Sequence, residues 1–151
     1  MRSHYIWFII DSETRFAIGF HLSPHRDSSQ AVSLFSEAAK FGNPSAIVSD
    51  RYSAYKVPAK SIFSGAKHIR VQSFKDDISN NLIECFNKQF KTRYKTKQGF
   101  SSFESANNLI SLFVFFFNFV RPHSALNSLT PAQVAGLNLP KRRKCEFPLV
   151  A

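Results

Sequence analysis

Asp50 closes the short apolar run AIVSD at 46–50, and Glu84 follows 34 positions later, near the start of an amphipathic stretch. An acidic side chain that ends a buried strand emerges at the carboxyl edge of a sheet, where open α/β folds place their sites. A second carboxylate on a nearby helix can share a divalent cation with it. Mg²⁺ takes hard oxygen ligands and keeps several waters, so two or three carboxylates suffice. A pair of such ions can activate an attacking oxygen and stabilise a leaving one at a phosphodiester. Each acid also has an ordinary role: Asp50 as a turn residue, Glu84 as a first-turn acid that suits the helix dipole.

The charges around Glu84 bear on that choice. From Lys67 to Lys97 there are eight Lys/Arg and three acids, a local net charge of +5. Glu84, Lys88, Lys91 and Lys95 follow a spacing of 4, 3 and 4, which puts them on one helical face. A carboxylate leading a cationic stripe suits a metal ligand beside a phosphate track. An exposed face with an i,i+4 pair, Glu84 to Lys88, accounts for it equally well. Arg121 and His123, in RPHSAL, read either as phosphate contacts or as packing at the end of a helix. The whole chain has 20 Lys/Arg against 10 Asp/Glu, net +10, with a pI near 10.0. Nucleic acid is the commonest polyanion for such a surface.

The elements that must position these residues follow from periodicity. HYIWFIID at 4–11 and FAIGFHL at 16–22 are apolar runs joined by SETR, which predicts a hairpin. Ala31, Leu34, Phe35 and Ala38 fall at i, i+3, i+4 and i+7, predicting a helix over 28–41 with Asp27 or Ser28 as cap and Gly42 as stop. Strands are expected at 46–50 and 68–71, with an irregular stretch at 51–66 that holds one short helix. Helices are expected at 79–94 and from a Ser101–Glu104 capping box to about 119. Thr130-Pro131-Ala132-Gln133 opens a last short one. The order is α/β with an antiparallel hairpin.

At 151 residues the chain is one domain's worth of material, and 44% apolar residues exclude a disordered chain. Two cysteines exclude a disulfide scaffold or a four-cysteine zinc site and suit a reducing cytosol. The opening residues do not read as a signal peptide. LISLFVFFF at 109–117 is shorter than the ~20 residues of a membrane span and is bracketed by asparagines, so a buried helix is expected. Trp7 and the Phe run at 113–117 read as core or subunit interface.

Four segments, IIDSETRFAIGFHLSPHRD, PSAIVSDRYSAY, NNLIECFNKQFKTRYKTKQGF and FNFVRPHSALNSLTPAQVAG, occur in that order. Together they resemble the DDE transposase catalytic core of prokaryotic insertion sequences, related to retroviral integrases, over roughly 4–137. The resemblance implies a ribonuclease-H-like fold, a mixed sheet with flanking helices, over 1–137, followed by a basic tail at 138–151 that includes KRRK. It implies DNA cleavage and strand transfer by a carboxylate triad with Mg²⁺ or Mn²⁺, acting on transposon ends and target DNA, in a homo-oligomer in the cytoplasm of a prokaryote, associated with the nucleoid and not with a membrane. Asp50 matches the second Asp and Glu84 the Glu, with Lys88, Lys91, Arg93, Lys95, Lys97 and Arg121 as DNA contacts. Asp11 is a weak candidate for the first Asp: it falls where the second strand ends, so the first strand and its acid are expected upstream of Met1. The chain then reads as truncated and inactive alone, or as a non-catalytic basic nucleic-acid-binding protein derived from a transposase. A dimerisation module built on the Phe-rich helix is a third reading.

Overall fold

A computed structural model describes residues 4–71, 81–95 and 100–137. Strands β1 (Tyr5–Ile10) and β2 (Ala17–Ser23) form the expected antiparallel hairpin, with Trp7 opposite His21 and Phe8 opposite Phe20. Its turn is built by Asp11, whose Oδ2 accepts from the Thr14 N–H at 2.9 Å and the Thr14 hydroxyl at 2.5 Å. Helix α1 (Ser28–Ala39) starts where Asp27 accepts from the amides of Ser29 and Gln30. It ends before Gly42, whose φ of 136° suits glycine. β3 (Ala46–Ser49), a 3₁₀ turn at Ser53–Tyr55, α2 (Lys56–Ile62) and β4 (Lys67–Arg70) follow, with β3 and β4 parallel.

The expected mixed sheet is present as two two-stranded sheets, β1–β2 and β3–β4. β1 and β3 each keep one edge without a hydrogen-bonded neighbour among the described residues. They are tied instead by side chains. Trp7 and Ile9 of β1 and Ile47 of β3 pack into one apolar layer with Ala31, Leu34 and Phe35 of α1 and Ala59 of α2.

The other face of β1 carries Ile6, Phe8 and Ile10, and two helices cover it: α3 (Asn81–Lys95) and α4 (Phe103–Phe115). Alternation along a strand sends successive side chains to opposite faces, so one strand feeds two cores and the unit has three layers. Phe86, 1% exposed, meets Phe8, Phe113 and Phe117 with ring centroids 4.8, 5.2 and 4.6 Å away. The apolar stretch 103–120 has the length and composition of a membrane span. It packs here as a core helix through Ala106, Ile110, Phe113 and Phe117.

Two local details differ from expectation. The cap of α4 is Ser102, which accepts from the Ser105 amide, not Ser101. The helix also does not run on as α: Phe116–Val120 is a π turn, closed by the Arg121 amide on the Phe116 carbonyl at 2.9 Å. The wider turn carries Asn118 inward. Its amide exchanges both hydrogen bonds with the main chain of Ala17, at 2.8 and 2.9 Å, where β2 bulges. A 3₁₀ turn at Ser124–Leu126 leads to α5 (Pro131–Val134), which has the expected Thr130–Gln133 capping box.

Candidate functional site

Asp50 stands directly after β3 and is exposed. Its Oδ1 accepts from the Tyr52 amide at 3.0 Å, so the turn role is real, and its second oxygen has no hydrogen-bond partner among the described residues. The backbone behind it is held by a relay. The Ser49 hydroxyl donates to the Asp50 carbonyl at 2.9 Å, and so receives the Nε2–H of His68 at 2.8 Å. Burial, helped by Arg70, lowers the His68 pKa, which keeps the ring neutral. Tyr55 lies beyond Asp50 with its hydroxyl pushed up to about 12, first by burial and then by the Asp50 carboxylate.

Glu84 sits in the first turn of α3, exposed, with no hydrogen-bond partner among the described residues. It shares an open face of α3 with Asn87, Lys88, Lys91 and Thr92. One face of α3 therefore does join the acid to two lysines. Arg93 does not share that face. Nine residues at 3.6 per turn place it about 180° from Glu84. Its guanidinium lies 4.7 Å from the centre of the Phe116 ring, on the aromatic layer. Arg121 is half-buried and donates to Gln89 Oε1, pinning the end of the α4 rod to α3. The side chain of Lys95, all of Lys97, Asp76 and Asp77, and the tail at 138–151 lie outside the described residues.

His123 packs rather than projects. Its ring meets Phe117 edge-on at 4.5 Å, burial lowers its pKa, and its Nε2 is buried without a partner. Asp11 is removed from the acid site by topology. Tyr5, at the start of β1, lies beside Arg26 and through it beside Tyr52 and Asp50. Asp11 follows the other end of β1, about 20 Å from Tyr5 at 3.3 Å per residue, and its carboxylate is spent on Thr14. Among the described residues no group of three or more His, Cys, Asp and Glu comes together to hold a metal.

Residues 1–123 match the DDE domain family. The chain belongs to this family. The DDE domain is a transposase/integrase catalytic domain, and its structural neighbours agree on the fold. A chain of the simian T-cell lymphotropic virus intasome, in complex with the PP2A regulatory subunit B56 gamma, superposes with a TM-score of 0.66 at 17% identity, over 92% of this chain and 52% of that one. The HTLV-2 integrase catalytic core domain, in complex with magnesium, superposes in its dimeric form with a TM-score of 0.59 at 18% identity, over 87% of this chain and 90% of that one. Its trimeric form gives 0.61 at 16% identity over the same shares. The DDE domain thus spans about half the length of the intasome chain and most of the isolated catalytic core. A comparison with curated proteins finds no match. Magnesium suits the donors present: the open Asp50 oxygen and the unpartnered Glu84 carboxylate are hard, exposed oxygen ligands.

Proposed function

We propose that this DDE domain cuts DNA at transposon ends and joins them to target DNA, with Asp50 and Glu84 as two of its acids. The observation that carries the proposal is the open face of α3 on which Glu84 stands beside Lys88 and Lys91. Asp50 and Glu84 would hold a divalent ion, which would supply charge neutralisation at the phosphodiester. The protein's own part is to place oxygens and cations. Ser49 and His68 fix the main chain at Asp50, the α3 helix fixes Glu84, and Lys88 and Lys91 offer ammonium groups to the phosphates on either side. Lys95 and Lys97 extend this track in sequence. Arg93 and Arg121 support it from behind, by holding α3 to the aromatic layer.

Two acids do not complete a triad, so a third must come from outside the described residues. In-line transfer needs the reacting groups held to fractions of an ångström. The basic tail at 138–151 is expected to add affinity only. We infer a homo-oligomer joined through the outer face of α4, where Leu112 is 59% exposed and Phe115 stacks on Phe119 at 5.1 Å. We infer a place of action in the cytoplasm of a prokaryote, on the nucleoid. The reading as a non-catalytic DNA-binding relative is favoured by the lack, among the described residues, of a third acid grouped with Asp50 and Glu84.

A plasmid-nicking assay in Mg²⁺ separates the two. Nicking that Asp50→Ala or Glu84→Ala abolishes supports the catalytic reading, and DNA binding without nicking supports the other. Robust nicking by the bare chain that both substitutions abolish would show the third acid already present. Nicking that neither substitution changes would sink the site.

A further inference from the structure

Arg26, in the loop between β2 and α1, has its planar faces occupied and its edge free. Its guanidinium carbon lies 4.2 Å from the centre of the Tyr52 ring and 5.9 Å from that of Tyr5. Its own main chain is tied to the same ring, because the Tyr52 hydroxyl donates to the Arg26 carbonyl at 2.5 Å. Cation–π stacking of this kind holds the group flat without using a single N–H. The natural counter-ion is already spent: Asp27, the next residue, accepts from the Ser29 hydroxyl and from the amides of Ser29 and Gln30 at the head of α1. The ion pair among the described residues is Lys40–Glu37, at the far end of α1. So the exposed guanidinium has no hydrogen bond or ion pair through its N–H groups among the described residues. Five donors in a rigid fork match a phosphate bidentately.

The location gives this fork a purpose. The ring under Arg26 belongs to Tyr52, whose amide holds the Asp50 carboxylate at 3.0 Å. Arg26 and Asp50 also act with opposite sign on the same Tyr55 hydroxyl, so they flank one spot. We propose that Arg26, clamped by Tyr52 and Tyr5, is a DNA-phosphate grip beside Asp50, additional to the α3 lysines, holding the strand next to the bond that is cut. This rests on the function proposed above and extends it. The DNA would then be held by Lys88 and Lys91 on α3 and by Arg26 at the head of α1. Nothing in the charge stripe of α3 points to it, because Arg26 is 58 positions away from Glu84.

The test is fluorescence anisotropy of the full chain on a labelled duplex, across a salt series in Mg²⁺. Arg26→Ala is expected to weaken binding about tenfold, the size of one charge-assisted contact. The slope of log K against log salt should become shallower by about 0.9. Arg26→Lys keeps the charge, so its slope should stay at the parent value while affinity falls by less. Unchanged affinity and slope in Arg26→Ala, with Lys88→Glu weakened, would overturn the grip and leave the α3 track standing. No loss in either variant would overturn the function reading and the grip with it. Inorganic phosphate at constant ionic strength should show no saturable binding. Saturable binding lost in Arg26→Ala, with DNA affinity intact, would assign the fork to a free anion instead. Should Arg26→Ala fail to fold by circular dichroism, Arg26→Gln, which keeps a flat amide on the ring, is judged by the same slope.

Discussion

The two faces of β1 are built on different principles. Toward α1, Trp7 meets Tyr52 and Tyr55 with ring centroids at 6.2 and 5.5 Å, so the aromatic groups there carry polar tips. Two of those tips are put to use: the Tyr52 hydroxyl ties down the Arg26 loop, and Tyr55 lies against Asp50. Toward α3 and α4, Phe8, Phe86, Phe90, Phe113 and Phe117 form a hydrocarbon cluster with no polar atom in any side chain. One polar residue, Asn118, fixes its register against the sheet. The comparison teaches that the first face positions chemistry and the second supplies cohesion. The acid on the second face, Glu84, stands on the outside of its helix for that reason.

If this division is right, the largest loss of stability comes from the Phe face. Phe86→Ala should cost about 3–5 kcal/mol, since the residue is 1% exposed and touches three other rings. Urea denaturation measures it, and a loss under 1 kcal/mol would mean that the cluster collapses freely around the gap. Next is the single polar anchor. Asn118→Leu keeps the volume but leaves the Ala17 amide and carbonyl buried and unpaired, for a loss of about 2–3 kcal/mol. Thr130→Ala, which removes one arm of the capping box under α5, should cost about 1 kcal/mol.

The smallest effect sharpens the comparison through pH. His68 supports the acid end of β3 and His123 packs on Phe117, one in each region, and burial lowers the pKa of both. A histidine whose folded pKa lies below its unfolded one stabilises the fold fully above the unfolded value, near 6.5. That stability is lost as pH falls below 6.5 toward the folded values. Thermal melts should therefore be flat from pH 8 to 7 and decline below 6.5. His123→Phe should remove part of the decline. A melting temperature that rises on acidification would contradict the buried neutral state of both rings.

How far the residues alone disclosed this arrangement depends on which face is considered. Period-2 and period-3.6 patterns placed β1, β2, α1, α3 and the Thr130 box within a residue or two, because apolar burial dominates there. The positions of Asp50 directly after β3 and of Glu84 in the first turn of α3 follow from the same patterns. Orientation was not read out of charge counts. Arg93 and Arg121 look like part of a basic track by proximity in sequence, yet they pack on Phe116 and bond to Gln89. The 180° offset of Arg93 on its helix was available in the numbering. Asn118 was hidden more deeply. As a polar residue ending an apolar run it resembles a boundary, and only the π turn, which no local pattern announces, turns it inward.

That turn also decides how the sheet meets other strands. A hairpin has two rims along which foreign backbone can add, and both are open by default. Here the outer rim of β2 is blocked at Ala17, because the Asn118 amide presents the same donor–acceptor pair that a neighbouring strand would. The rim of β1 carries no such plug among the described residues, and the free rim of β3 belongs to the same apolar layer. Growth of the sheet is thus given a polarity. An added strand is accepted on the side of β1 and refused at the start of β2, so misassembly between copies, when it occurs, should spread through the former and spare the latter.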